Sequence, residues 1–251
     1  MLKYVDAHCH AYEYSLNELN QYKQILLLSV GDDYRSSLRN IELESKYNNI
    51  IGGVGAHPWS IGYEVSLDDV NNIIELALNS RPKMIGEIGL DKKFKSNTFE
   101  LQRIVFKKFL ELVNTLGNVI VNVHALGAWK EVLNELMKYN IKVAIIHWYT
   151  GPKQLLKEIE AQNYYITINP SILFQKKHQN ILKEASLDII LTESDGPYEY
   201  RGHILRSNLI PEVLKFIAKV KELDIEEVRK TIINNIKRLL SILNMSMEFE
   251  Y

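Results

Sequence analysis

Short apolar runs rich in β-branched residues alternate with longer amphipathic stretches along the whole chain, and this alternation is what most constrains the fold. The runs fall at 4–8, 24–30, 50–56, 83–89, 119–123, 142–147, 165–169 and 188–193. Between them, apolar residues recur at helical spacing over 34–47, from Ser66 through 77, from Thr98 through 116, over 129–139, from Pro152 onward and over 177–185. A shorter helical segment carries Leu16, Leu19 and Tyr22. Two more helices follow at 209–223 and 225–243, and the tail, 244–251, is expected to be loose. The helix ends carry their own punctuation. Ser66 and Asp224 suit N-caps, Asp68 and Asp69 sit where the helix dipole favours acids, Pro152 suits a first helical position and Gly117 a C-terminal stop.

Most of the runs are continuously apolar rather than alternating, so they read as strands buried on both faces of a parallel sheet covered by helices. Eight such repeats close a barrel. The predicted fold class is therefore α/β, a (β/α)8 TIM barrel. An open doubly wound sheet is the alternative, but no GxGxxG follows the first run. At 251 residues with 46% hydrophobic content, one such barrel accounts for the chain, and a single domain over 1–251 is expected. A net charge of −1 excludes a general nucleic-acid-coating or membrane-coating surface, so any anionic substrate has to be met locally. One cysteine permits no internal disulfide, the first residues lack a signal-peptide pattern, and the longest apolar runs are too short to span a bilayer. A cytoplasmic protein without membrane or disulfide partners is expected, with its oligomeric state open.

In such barrels chemistry sits at the C-terminal ends of the strands. The first run ends in Asp6-Ala-His8-Cys9-His10, whose two histidines share one face of a strand about 6.6 Å apart, within reach of a single metal ion, while Cys9 points away. The third ends in His57-Pro58-Trp59, the fourth in Glu87 and Asp91, the fifth in His124, the sixth in His147 and the eighth in Glu193-Ser194-Asp195. Five of seven histidines thus fall at strand ends, which scattered core or surface histidines would have no reason to do. His8, His10, His124, His147, Glu87 and Asp195 exceed what one tetrahedral ion needs and suit two divalent ions sharing a bridging carboxylate. Zinc and manganese fit a histidine-carboxylate set best, with magnesium a further candidate.

The blocks DAHCH, GAHPW, GEIGLD, the lone His124, IHWYTG and TESDGPY resemble, in order and spacing over most of the chain, the signatures of the TatD family of metal-dependent deoxyribonucleases, relatives of the amidohydrolases. The resemblance implies a TIM barrel with a divalent metal pair and hydrolysis of phosphodiester bonds, with DNA as the substrate it suggests. It implies one ion held by His8, His10, Asp195 and Glu87, another by Glu87, His124 and His147, and His57 as a histidine behind a ligand or against a substrate phosphate. The chain departs from the family at several places. The arginine usual two positions after the strand-five histidine is Leu126, His-Trp-Tyr-Thr-Gly replaces His-Cys-Phe-Ser-Gly, Phe109 replaces a glutamine, and Arg-Asn-Glu-Pro is loosened into Arg206-Ser207-Asn208-Leu209-Ile210-Pro211. The metal half of the match is intact and the substrate half has drifted.

The mechanism expected is metal-assisted hydrolysis of a phosphodiester, with Asp195 and Glu87 the catalytic carboxylates and Asp195 the general base. Asp6 either orients a ligand imidazole or forms a turn, and Glu193 is either a structural or a catalytic partner. Arg201, Arg206, Lys92 and Lys93 are candidates for substrate phosphates, and Trp59, Trp148, Tyr149, Tyr198 and Tyr200 for stacking on bases or walling a pocket. The alternatives are amidohydrolase-type cleavage of a C–N or carboxylic ester bond, and a catalytically inactive barrel serving as a binding protein.

Overall fold

The computed structural model describes residues 1–250. Eight strands, β1 (Tyr4–Cys9), β2 (Ile25–Ser29), β3 (Ile50–Val54), β4 (Met84–Gly89), β5 (Ile120–His124), β6 (Ala144–Ile146), β7 (Tyr165–Ile168) and β8 (Ile190–Thr192), pair in parallel in sequence order. Their apolar side chains are buried on both faces, as continuous rather than alternating runs require. The sheet curls until β8 meets β1, where side-chain and backbone hydrogen bonds stitch the seam. Thr192 Oγ1 donates to the Val5 carbonyl, the Ser194 amide donates to Asp6 Oδ1 at 2.8 Å, and the Asp195 amide donates to the His8 carbonyl at 2.9 Å. The (β/α)8 barrel expected from the alternation is thus present.

Helices α1 (Leu16–Gln21), α2 (Tyr34–Lys46), α3 (Leu67–Ser80), α4 (Phe99–Leu116), α5 (Trp129–Lys138), α6 (Leu156–Ala161), α7 (Lys176–Glu184), α8 (Ile210–Lys221) and α9 (Ile225–Ser241) complete the repeats. Ser66 and Asp69 cap α3 reciprocally, and Asp224 accepts from the Glu226 amide at the start of α9. Thr98 precedes α4 but its hydroxyl meets the Lys95 carbonyl and Gln102 instead of capping. Pro152 stands one position earlier than expected. Its ψ of 130° is extended, and it leads into a single 3-10 turn, Lys153–Leu155, before α6.

Two departures concern the chain after β8. A hairpin, β9 (Tyr198–Tyr200) and β10 (His203–Leu205), stands in a stretch for which the sequence pattern named no element. Arg201 and Gly202 turn it with φ of 54° and 78°, the left-handed pair that a two-residue hairpin loop demands. The tail is docked rather than loose as far as Glu250, and Tyr251 lies outside the described residues. Phe249 is buried and bridges to Leu2, the Leu2 amide donates to the Glu248 carbonyl at 3.0 Å, and the Glu250 amide returns a bond to Leu2. No helix among the described residues is long and apolar enough to cross a membrane.

Candidate metal centre

Glu87, at the C-terminal end of β4, is the hub of a cluster at the barrel mouth. Its Oε1 lies 2.9 Å from His124 Nδ1, 3.0 Å from His147 Nε2 and 3.1 Å from His57 Nε2. Its Oε2 faces the other way, 3.2 Å from His8 Nε2 and 4.0 Å from His10 Nε2. Asp195 Oδ1 closes that second group, 3.2 Å from His8 Nε2 and 3.5 Å from His10 Nε2. The backbone makes room for this approach at Gly55, where a Cβ would lie 2.7 Å from the Glu87 amide nitrogen. All six ligand candidates read from the strand ends therefore converge. Cys9 points away, its thiol toward the Leu28 carbonyl inside a separate small core.

Each imidazole is also addressed at its other ring nitrogen. His8 Nδ1 lies 2.8 Å from Asn122 Oδ1, and Asn122 Nδ2 donates to the Ala7 carbonyl, which fixes the amide so that its oxygen faces the ring. His10 Nδ1 is 3.2 Å from Asp32 Oδ2, and His124 Nε2 is 2.9 Å from Asp91 Oδ2. His147 Nδ1 stands farther, 3.8 Å from Glu193 Oε2. Asp91 is itself held by the indole N–H of Trp59 and by the amides of Lys93 and Phe94, and Gln102 accepts from the Asp91 amide. Such partners orient a ligand ring and select which nitrogen is free for a cation.

Charge follows geometry. Burial would push the His8 and His10 imidazoles down, but Glu87 and Asp195 beside His8, and Asp32 and Asp195 beside His10, hold both well above the ordinary value. His124 is likewise raised to about 9, Asp91 and Glu87 outweighing burial. His147 goes the other way, to about 4, through burial and the adjacent His8, whose ring stacks on it at 3.9 Å. Burial would raise the Glu87 and Asp195 carboxyls, and the surrounding imidazoles hold both well below the usual range. Protons thus sit where cations would. His8 Nε2 is buried without a hydrogen-bond partner among the described residues, aimed at two carboxylates, as a ligand nitrogen would be. Groupings of His8, His10 and Asp195, of His8, Glu87 and His147, and of His57, Glu87 and His124 bring their ligand atoms within 4.8 Å of one another. The donor set fits divalent metal.

The profile of the TatD related DNase family matches residues 5–241. The chain belongs to that family. An uncharacterized metal-dependent hydrolase of Methanocaldococcus jannaschii is 32% identical over 93% of this chain and 95% of its own length. A deoxyribonuclease of Homo sapiens is 26% identical over 94% of this chain and 93% of its own. Among solved structures, a TatD homolog from Escherichia coli K12 aligns with a TM-score of 0.84 at 19% identity, covering 97% of this chain and 99% of that one. A TatD family hydrolase from Entamoeba histolytica aligns at 0.76 and 15% identity, over 95% and 98% of the two chains. Both likenesses are of fold.

Above the centre, this TatD chain opens a cavity of about 570 Å³. His57 and Tyr198, expected at the substrate, line it, and His57 stands closer to Glu87 than a purely peripheral residue would. Leu126, two positions after His124, also lines it and brings no charge. Arg201 and Arg206, also expected at the substrate, are not among the described lining residues. Arg201 is exposed at the hairpin turn, over the Tyr200 ring, and Arg206 pairs with Glu18. Lys92 is held by Glu131, whereas Lys93 lines the cavity and Lys177 joins it from α7. Asp6 meets no ligand imidazole within hydrogen-bonding distance; its carboxylate holds the Ser194 amide at the seam, and burial lifts its pKa to about 6. It therefore positions the backbone that carries Asp195. Asp91 was placed at the end of the fourth run without a role, and Asp32 and Asn122 were not picked out from the sequence. Asn122 precedes His124 by two and so shares its face of β5, a signal the strand pattern contains.

Proposed function

We propose that the chain is a hydrolase of phosphodiester bonds that works with two divalent ions, DNA being the substrate class its relatives' names favour. The observation that carries this reading is the division of Glu87, one oxygen facing His124 and His147 and the other facing His8 and His10. A carboxylate so placed suits a bridge between ions, one held by His8, His10, Asp195 and Glu87 and the other by Glu87, His124 and His147. Ions bound there supply Lewis acidity toward phosphoryl oxygens and acidify water near neutral pH. Asp195 acts as proton acceptor for the attacking water, since its carboxyl is held ionised and reaches the cavity. His57 lines the same floor, 3.1 Å from Glu87, and would help hold the second ion or meet a phosphoryl oxygen. Lys93 supplies positive charge at the rim.

Protein stripped of metal and reloaded with zinc, manganese or magnesium is assayed on phosphodiester, phosphomonoester and amide or carboxylic ester substrates. Phosphodiester cleavage is expected, falling about 100-fold or more in Asp195→Asn. Cleavage of amide or carboxylic ester substrates alone overturns the reading.

A further inference from the structure

Trp148 occupies an unusual position. It follows the ligand candidate His147 directly, and its backbone takes the left-handed conformation, φ 42°, which a bulky residue adopts only when its surroundings impose it. Here they do. Its amide donates to Thr167 Oγ1 at 2.8 Å and to Glu193 Oε1 at 3.0 Å, and its indole N–H donates to Gln175 Oε1 at 3.2 Å. Gln175 in turn donates to the Tyr200 hydroxyl at 3.1 Å, so one amide side chain ties the indole to the hairpin. Tyr198 and Tyr200, which share one face of β9, meet the indole edge-on with centroids 6.1 and 4.9 Å away. Trp148, Tyr198, Tyr200 and Gln175 all line the cavity beside Asp195.

A tryptophan held at its backbone amide and at its indole N–H, half-buried and adjoining a ligand candidate, is more than a wall residue needs to be. Core packing does not require it, because it stands at the cavity rather than in the apolar interior. Stacking on a flat ring is the interaction such a pre-ordered surface offers, and its rotamer entropy is already spent before a ligand arrives. The cavity, at about 570 Å³, accommodates a nucleotide unit and its ester.

We infer that Trp148, held by Thr167, Glu193 and Gln175, is a specificity-determining residue that stacks on the nucleobase adjoining the phosphoryl group bound at the metal centre. The inference rests on the proposed phosphodiesterase function. It assigns to Trp148 the selectivity for base-bearing over base-free phosphate esters.

The test measures equilibrium binding of thymidine 5′-monophosphate and of deoxyribose 5-phosphate to the metal-loaded protein by calorimetry, in wild type, Trp148→Phe and Trp148→Ala. Melting temperature and metal content are checked for each variant. In wild type the nucleotide is expected to bind about tenfold more tightly than the sugar phosphate, the increment of one base stack. Trp148→Phe keeps most of that preference, Trp148→Ala abolishes it, and sugar phosphate binding stays the same in all three. Equal binding of the two ligands by wild type, or an undiminished preference in a folded, metal-loaded Trp148→Ala, overturns the assignment while leaving the phosphate-binding reading intact. Failure of the sugar phosphate and the nucleotide alike to bind wild type removes the phosphodiesterase reading and this inference with it.

Discussion

Asp91 illustrates how a carboxylate behind the centre decides what a ligand does. Its Oδ2 faces His124 Nε2, so the proton of a neutral His124 sits there and Nδ1 is left free toward Glu87 and His147. Asparagine at 91 can offer its N–H to the same nitrogen and move the proton to Nδ1, the atom a cation needs. Asp91→Asn is therefore expected to weaken binding of one ion by about 10- to 100-fold while the ion near His8 and His10 is largely spared. Calorimetric metal titration checks this, and two unchanged affinities would refute it. The convergence of the six ligand candidates was legible in the sequence because each ends a strand. Asp91 was seen at its strand end but its role was not, and Asn122 and Asp32 were not seen, because the pairing of Asp32 with His10 between the ends of β1 and β2, and of Asn122 with His8 across the barrel, depends on how the strands are brought together. Arg201 and Arg206 show what sequence position leaves open, since it does not say which way a cation turns: one lies over the Tyr200 ring and the other pairs with Glu18.

Among the elements, the strands and helices were readable because parallel strands buried on both faces write themselves as unbroken apolar runs. The hairpin β9–β10 was not, because three residues per strand are too few to establish a period, and its turn gives only a single Arg201-Gly202 signal. Yet it supplies Tyr198 and Tyr200 to the cavity. Helix α7 carries a different consequence. His178 on its inner face is fully buried against Ser171 and the Thr167 carbonyl, and burial lowers its pKa to about 4. A base with a depressed native pKa stabilises the fold above its unfolded value near 6.5, and that contribution is lost as pH falls through 4. The loss amounts to about 3 kcal/mol across this window. Denaturant unfolding of wild type and His178→Gln between pH 7 and 4, in the same metal state, is expected to give curves that converge as the pH drops. Parallel curves would show that His178 does not carry the effect.

Across the whole molecule, the barrel's topology turns six residues spread over nearly two hundred positions into one site. The closing seam is part of that site, since the Asp6 carboxylate and the His8 carbonyl hold the Ser194 and Asp195 amides. Asp195 itself takes a left-handed φ of 58°, so its placement depends on those contacts. The tail was misjudged for a similar reason: Phe249 and Glu250 find their partners at Leu2, at the opposite terminus. The proposed function rests on a centre for a pair of ions, and the division of Glu87 between two groups of histidines supports it. Elemental analysis of the stripped and reloaded protein, after removal of free metal, tests that claim most directly. Two ions per chain are predicted, and one ion or fewer at saturating metal would contradict it.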